Sequence, residues 1–251
     1  MIRNFSLNNT RKIESLNIPK QYKITLIEFF YKLENIFGDN LSLFVVTGSG
    51  GREKIIDGWS DLDVLIVLKD FSPEQDINLA KLVENQPVKV GITVYSKQEF
   101  ENGLVDSKTI FNLELIRERI LLPIILEKGI RLPYFSVAYR KSLHRELLPN
   151  LIHELRRSLY YPDKLNIHSI AKNIDTIMKF ILSINQGVLI SGYREVQEEF
   201  YKQFQNCPKV YNVFELLEKK DVKGYYQQCW DFLVYITTKE IIDKYFEFPT
   251  R

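Results

Sequence analysis

The spacing of apolar residues changes character midway along this 251-residue chain. In the first half, short apolar runs alternate with helical stretches. Residues 43–46 form a continuous apolar run, the pattern of a buried strand. Residues 61–68 and 88–95 predict two more strands, and 121–126 a fourth. Pro123 places that fourth strand at an edge, because proline cannot donate to an interior ladder. Ile24, Ile27, Phe30, Tyr31 and Phe37 keep a helical period ahead of the first strand, with Pro19 in the first turn and Gly38 as the stop. The polar residues 1–18 read as peripheral. Two helix starts are written as capping boxes, Ser72 with Gln75 around Pro73, and Ser96 with Glu99. A further helix is expected over 108–119.

From about Ser136 the strand pattern disappears and only helical periods remain. Residues 137–148 and 151–160 read as two helices, or as one kinked at Pro149. Ile167, Ile170, Ala171, Ile174, Ile177, Met178, Ile181 and Leu182 trace one face of a long helix that Gly187 stops. Shorter helices follow over 194–204 and 210–219, and a last one over 221–246. The expected organisation is therefore an α+β unit over residues 1–135, with a mixed sheet flanked by helices, followed by a helical bundle over 136–251.

The chemistry concentrates between residues 47 and 63. The first strand is broken by Thr47-Gly48-Ser49-Gly50-Gly51, where glycine permits close backbone approach. The second strand then opens with Ser60-Asp61-Leu62-Asp63. Side chains alternate along a strand, so Asp61 and Asp63 point to the same face. Two like charges side by side are unfavourable unless a cation joins them. Magnesium suits this arrangement, since it takes one or two protein carboxylates and leaves its other positions to water and phosphate. Arg52 can present paired N–H groups to a phosphate, and Ser60 can cap the strand or bond phosphate. Glu53 and Asp57 read as solvated, and Trp59 as packed.

Strand, Gly48-Ser49 turn, loop and the Asp61-x-Asp63 strand together resemble the signature of the nucleotidyltransferase superfamily, the polymerase-beta-like fold. The most similar members are small bacterial enzymes that adenylylate antibiotics, and minimal nucleotidyltransferases that partner helical proteins. The helical half is similar in pattern to the helical domains of the former and to HEPN-type domains paired with the latter. The resemblance implies that the Gly48-Ser49 turn holds the phosphates of ATP, and that Asp61 and Asp63 bind Mg²⁺ and carry catalysis; Arg52 and Ser60 join the phosphate site as candidates by their place in the loop. It implies transfer of a nucleoside monophosphate, AMP from ATP, to a hydroxyl of a small molecule or protein.

The third strand departs from the family. Catalytic members usually carry a third acidic residue there, yet Val90, Ile92 and Val94 form one face and Lys89, Gly91, Thr93 and Tyr95 the other. Gly91 or Thr93 stands where the carboxylate is expected. The role could fall to Glu99, Asp106 or Glu114, to the helical half, or to a second subunit of a homodimer. Two functions stay open: an active transferase, and a catalytically degenerate protein of the same fold that binds nucleotide or a partner as a regulator.

Composition narrows the setting. Net charge is +2, which carries no marked basic excess of the kind that nucleic-acid binders show. No apolar run is long enough to span a membrane, and the first residues do not form a signal peptide. Cys207 and Cys229 belong to no metal motif and read as reduced core residues of a cytoplasmic protein. His144, His153 and His168 all fall in the helical half and read as surface or half-buried helix positions.

Overall fold

The computed structural model describes residues 2–84, 86–118, 123–161, 167–187 and 189–245. The chain divides into two compact units, Met1–Phe135 and Ser136–Arg251.

The first unit is α+β. Helices α1 (Ile2–Glu14) and α2 (Lys20–Phe37) precede strand β1 (Leu41–Val46), the single turn α3 (Gly48–Gly51) and strand β2 (Leu62–Leu68). Helix α4 (Pro73–Glu84) crosses to strand β3 (Val90–Ser96), and α5 (Lys97–Glu101), α6 (Ser107–Arg117) and β4 (Ile124–Glu127) complete the unit. The sheet is mixed, in the order β3-β2-β1-β4. β1 runs antiparallel to β2 and β4, whereas β2 and β3 are parallel, as the α4 crossover requires. The part of the fourth expected strand at 121–122 lies outside the described residues; β4 does pair at the sheet edge, where Lys12 donates to the carbonyls of Ile124 and Ile125.

One face of the sheet is covered by α2 and α4. Tyr22, Leu26, Phe29, Phe30, Leu33 and Phe37 bury against Phe44, Val46, Leu62, Val64, Ile66 and Leu68, with the Phe30 and Phe44 rings 5.0 Å apart. Each such side chain contributes roughly 1.5–3 kcal/mol on burial. The inward face of α2 keeps Phe30 and Phe37 of the expected set, with Ile27 beside them, but not Ile24 and Tyr31. Ile24 and Tyr31, seven residues apart, share the opposite face and are exposed. The N-terminal segment is also more than peripheral, because Ile13, Leu16 and Ile18 join the same core.

Both expected capping boxes form. Ser72 and Gln75 exchange hydrogen bonds at the start of α4, and Ser96 and Glu99 do so at α5. Tyr95, on the face of β3 away from α2, accepts from the N–H of Asp106 (2.9 Å) and bonds the hydroxyl of Thr109 (3.2 Å). These bonds tie the first turn of α6 to β3.

The second unit is helical throughout its described residues: α7 (Val137–Tyr160), α8 (Ile167–Gln186), α9 (Tyr193–Gln203), α10 (Val213–Lys219), α11 (Val222–Ile236) and α12 (Lys239–Tyr245). Pro149 sits inside α7, which continues as one helix. Arg140, His144, Leu148, Ile152, Leu155 and Leu159 form an unbroken buried stripe at three- and four-residue spacing, and its packing outweighs the lost hydrogen bond. Arg140 donates to the carbonyl of Gly187 (2.7 Å), so the start of α7 lies at the end of α8. Gly187, at φ +73°, ends α8 with its N–H on the carbonyl of Ser183.

The expected last helix is divided in two. Thr237 bonds the carbonyl of Leu233 through its hydroxyl and closes α11, and α12 starts at Lys239; Phe246 lies outside the described residues. His144 also departs from expectation. It is fully buried and stacked on Phe180 at 4.0 Å, while His153 is exposed and His168 half-buried. Cys207 and Cys229 are buried and unbridged, and burial pushes both thiols up to about 12. Among the described residues no helix is long and apolar enough to cross a membrane.

Candidate functional site

β2 is an interior strand, and the acidic pair sits at its N-terminal end rather than along an outer edge of the sheet. Two backbone bonds hold that end. The N–H of Leu62 donates to the carbonyl of Lys89, and the N–H of Thr47 donates to the carbonyl of Asp63, both at 2.9 Å. β1 therefore ends beside Asp63, and α3 begins there.

The carboxylate of Asp63 lies between two glycines. A Cβ built on Gly48 would stand 2.4 Å from Asp63 Oδ2, and one built on Gly91 would stand 2.7 Å from Oδ1. Gly48 also adopts φ +60°, a conformation that costs an L-residue about 1 kcal/mol or more. The glycine before Ser49 thus has two reasons to be glycine, its backbone angle and the carboxylate against it. Gly91 has one. It is the register partner of Asp63 across the parallel β2–β3 pair, and its missing side chain leaves the space into which the carboxylate fits.

The same register explains the absent third acid in physical terms. Parallel partners share a face, so Gly91, Thr93 and Tyr95 lie on the Asp63 face. A carboxylate at position 91 would compete for the volume that Asp63 occupies. The three acids expected to take over the role have other partners. Glu99 accepts from the N–H and hydroxyl of Ser96, and these hydrogen bonds hold its carboxyl below the usual range. Asp106 caps α6 by accepting from the N–H of Thr109. Glu114 is buried and ion-paired with Arg117, whose guanidinium also bonds the carbonyl of Pro133 and covers the ring of Tyr134.

Cations converge on the acidic pair instead. Lys89 Nζ lies 3.0 Å from Asp61 Oδ2, and Lys108 Nζ lies 3.1 Å from Asp63 Oδ1. Lys89 stands one step beyond the Leu62–Val90 pair, directly beside Asp61. Lys108 comes from the first turn of α6, which Tyr95 fixes to β3. The sequence pattern pointed to neither lysine. Lys89 becomes visible only when the second and third strands are aligned in parallel register, and Lys108 has no local signal.

The remaining expected site residues surround this centre. Ser49 is half-buried on α3, and its carbonyl accepts from the N–H of Lys54. Arg52 is the residue that closes α3 and is half-buried. Ser60 has a structural task, because its hydroxyl accepts from the N–H of Ile56 and its carbonyl from the hydroxyl of Tyr22 (3.1 Å). Glu53 and Asp57 do more than face solvent. Glu53 accepts from the N–H of Asn17 and Asp57 from the amide of Gln21, which fastens the loop to the segment around α2. Tyr22 is a further neighbour of the site. Burial raises the pKa of its hydroxyl, and the charges of Asp57 and Asp61 raise it further. Trp59 is half-buried.

As a donor set, the pair is all oxygen. Among the described residues there is no group of three or more His, Cys, Asp or Glu that could hold a metal. Two carboxylates two positions apart at the start of β2, with both flanks of Asp63 kept clear by glycine, fit a hard divalent cation that completes its shell with water and phosphate. They do not fit zinc, which would call for His or Cys.

No family model matches the sequence. A comparison with curated proteins likewise finds no match. Among solved structures, the crystal structure of spectinomycin adenyltransferase AAD(9) from Enterococcus faecialis with ATP and spectinomycin is similar. The match covers 84% of this chain and 90% of that one, with a TM-score of 0.52 and 14% sequence identity. At that identity the likeness concerns architecture alone. The strand order, the single turn after β1 and the helical region together give this chain a nucleotidyltransferase-like fold.

Proposed function

We propose that this protein is a nucleotidyltransferase that moves AMP from ATP to a hydroxyl of a small molecule. The observation that carries the reading is the placement of Asp61 and Asp63 at the end of β2, with the Gly48 turn against the Asp63 carboxylate. Asp61 and Asp63 would hold Mg²⁺. The ion, when bound, neutralises triphosphate charge and makes the α-phosphorus easier to attack. The turn at Gly48 and Ser49 offers backbone N–H groups and a hydroxyl to phosphate oxygens, and Arg52 a guanidinium. Transfer of this kind needs little covalent help from the protein, so holding the nucleotide and acceptor in line supplies most of the rate.

The ligand of the similar structure makes an aminocyclitol the first acceptor to try. Incubation with ATP labelled at the α-phosphate, Mg²⁺ and spectinomycin should give a labelled adduct and pyrophosphate. A wider panel of hydroxyl-bearing small molecules extends the test. Pyrophosphate release with no adduct on any acceptor would overturn the reading.

Gly91 supports a second reading, in which the protein binds nucleotide without transferring it. The space expected for a third carboxylate is filled by Asp63 itself. Binding of Mg²⁺-ATP without product across the acceptor panel would select this alternative.

Gly91→Ala tests the cradle under either reading. The clash falls on the end of a movable side chain, so stability should stay within about 1 kcal/mol of the parent. Asp63 must turn away, however, and displaced ligand support typically costs roughly 10–100-fold in metal affinity. Urea unfolding and calorimetric titration with Mg²⁺-ATP measure the two effects. Unchanged affinity would show that the orientation of Asp63 is irrelevant to binding.

A further inference from the structure

We propose that Lys108 is a phosphate ligand that rests on Asp63 and passes to a triphosphate oxygen when the divalent cation and nucleotide arrive. The inference rests on the reading of Asp61 and Asp63 as the metal-binding pair. It adds a residue that no motif marks.

Three observations carry it. Lys108 touches Asp63 through Oδ1, the oxygen that also faces Gly91. A divalent cation on that carboxylate would place like charges together, so ammonium and metal cannot share the oxygen. The ammonium is also placed to leave. Its side chain is 54% exposed, while that of Asp63 is only 26% exposed. An exposed pair of this kind adds little stability, so exchanging it costs little. Finally, the base of the lysine is held while its end is exposed. Asp106 N–H and Thr109 hydroxyl, on either side of Lys108, both bond Tyr95. The ammonium can therefore swing only within a side chain's reach of Asp63, which is where phosphates coordinated to the same metal must lie. A compact ammonium on a flexible stem suits such a transfer, and charge-assisted bonds to phosphate are among the stronger ones.

Lys89 differs in a way that supplies a control. Its ammonium pairs with Asp61, not with the carboxylate that lies between Gly48 and Gly91. It serves the resting state of Asp61, and its loss should change nucleotide affinity little.

The experiment is calorimetric titration of the intact chain with Mg²⁺ alone, and with Mg²⁺ plus a non-hydrolysable ATP analogue. Lys108→Met should bind Mg²⁺ alone at least as tightly as the parent, because a competitor is gone. It should bind the Mg²⁺-nucleotide at least about tenfold more weakly, because a charge-assisted phosphate bond is gone. Lys108→Arg should recover affinity to within about threefold, and Lys89→Met should stay within the same margin. The ligand-free melting temperature should be the same in all three, which separates binding from folding.

Nucleotide affinity in Lys108→Met equal to or greater than the parent's would overturn the proposal and leave Lys108 a simple counter-ion. Asp63→Asn separates this failure from that of the underlying reading. If Asp63→Asn also binds Mg²⁺-nucleotide like the parent, the metal assignment itself fails and the Lys108 proposal falls with it. If Asp63→Asn loses binding while Lys108→Met keeps it, only the role of Lys108 is refuted.

Discussion

Asp63→Asn should abolish Mg²⁺-dependent nucleotide binding while leaving the fold intact. The substitution keeps the shape of the side chain, so the amide still fits between Gly48 and Gly91. What it removes is the charge. One bound divalent ion supplies several kcal/mol of charge stabilisation, so the loss of affinity and of any transfer should be on the order of 100-fold or more. The cost to stability should be small, because the ion pair broken is with an exposed lysine and such pairs contribute about 0–1 kcal/mol. Asp61→Asn should behave alike, since Asp61 also faces an exposed lysine. Calorimetry with Mg²⁺-ATP, beside urea unfolding of each variant, measures both effects. Parent-like binding in both variants would remove these residues from the metal site.

Acid should weaken the helical unit through His144, and His144→Leu should reduce that sensitivity. The imidazole is fully buried against Phe180, and neither ring nitrogen has a hydrogen-bond partner among the described residues. Burial lowers its pKa to about 4, with Arg140 on the same helix adding to the effect. The ring is thus neutral in the folded state and charges in the unfolded state near pH 6.5. A base with a lowered folded pKa contributes stability that is complete above pH 6.5 and lost as pH falls towards 4. That shift is worth about 3 kcal/mol. Denaturant midpoints should fall over this window in the parent and fall less in His144→Leu. At pH 7 the variant should be as stable as the parent or more so, because it removes two buried polar atoms that lack partners. Equal pH dependence in both proteins would show that His144 does not titrate on unfolding.

Much of the secondary structure could be read from local pattern. β1 and β2 follow from apolar runs bounded by glycine and polar loops, and the starts of α4 and α5 follow from capping boxes. These signals are local because they concern residues within a few positions of one another. The α+β class and the resemblance carried by Gly48, Ser49, Asp61 and Asp63 followed from the same features. Where pattern misled, a longer-range effect decided. α2 turns Tyr22 and Phe29 inward beside Phe30 and Phe37 and leaves Ile24 and Tyr31 exposed, because the sheet covers only one side of the helix. At Pro149, where pattern left open two helices or one, α7 runs on as one because its buried stripe is continuous across it. His144 is buried where a helical histidine was expected near the surface, because the face of α8 that carries Phe180 lies against it.

The sequence alone determined that two aspartates stand two positions apart where a strand opens, a short loop after a glycine turn, since apolar runs and glycine breaks are properties of the local chain. Tertiary structure decided what surrounds them. Only the parallel register of β2 and β3 sets Gly91 beside Asp63 and Lys89 beside Asp61. Only the bonds from Tyr95 to α6 bring Lys108 within 3.1 Å of Asp63, across 45 positions of chain. A third carboxylate was expected on that strand by resemblance. The sequence itself carries glycine there, and only the fold shows that the Asp63 carboxylate lies in the space a Cβ at position 91 would take.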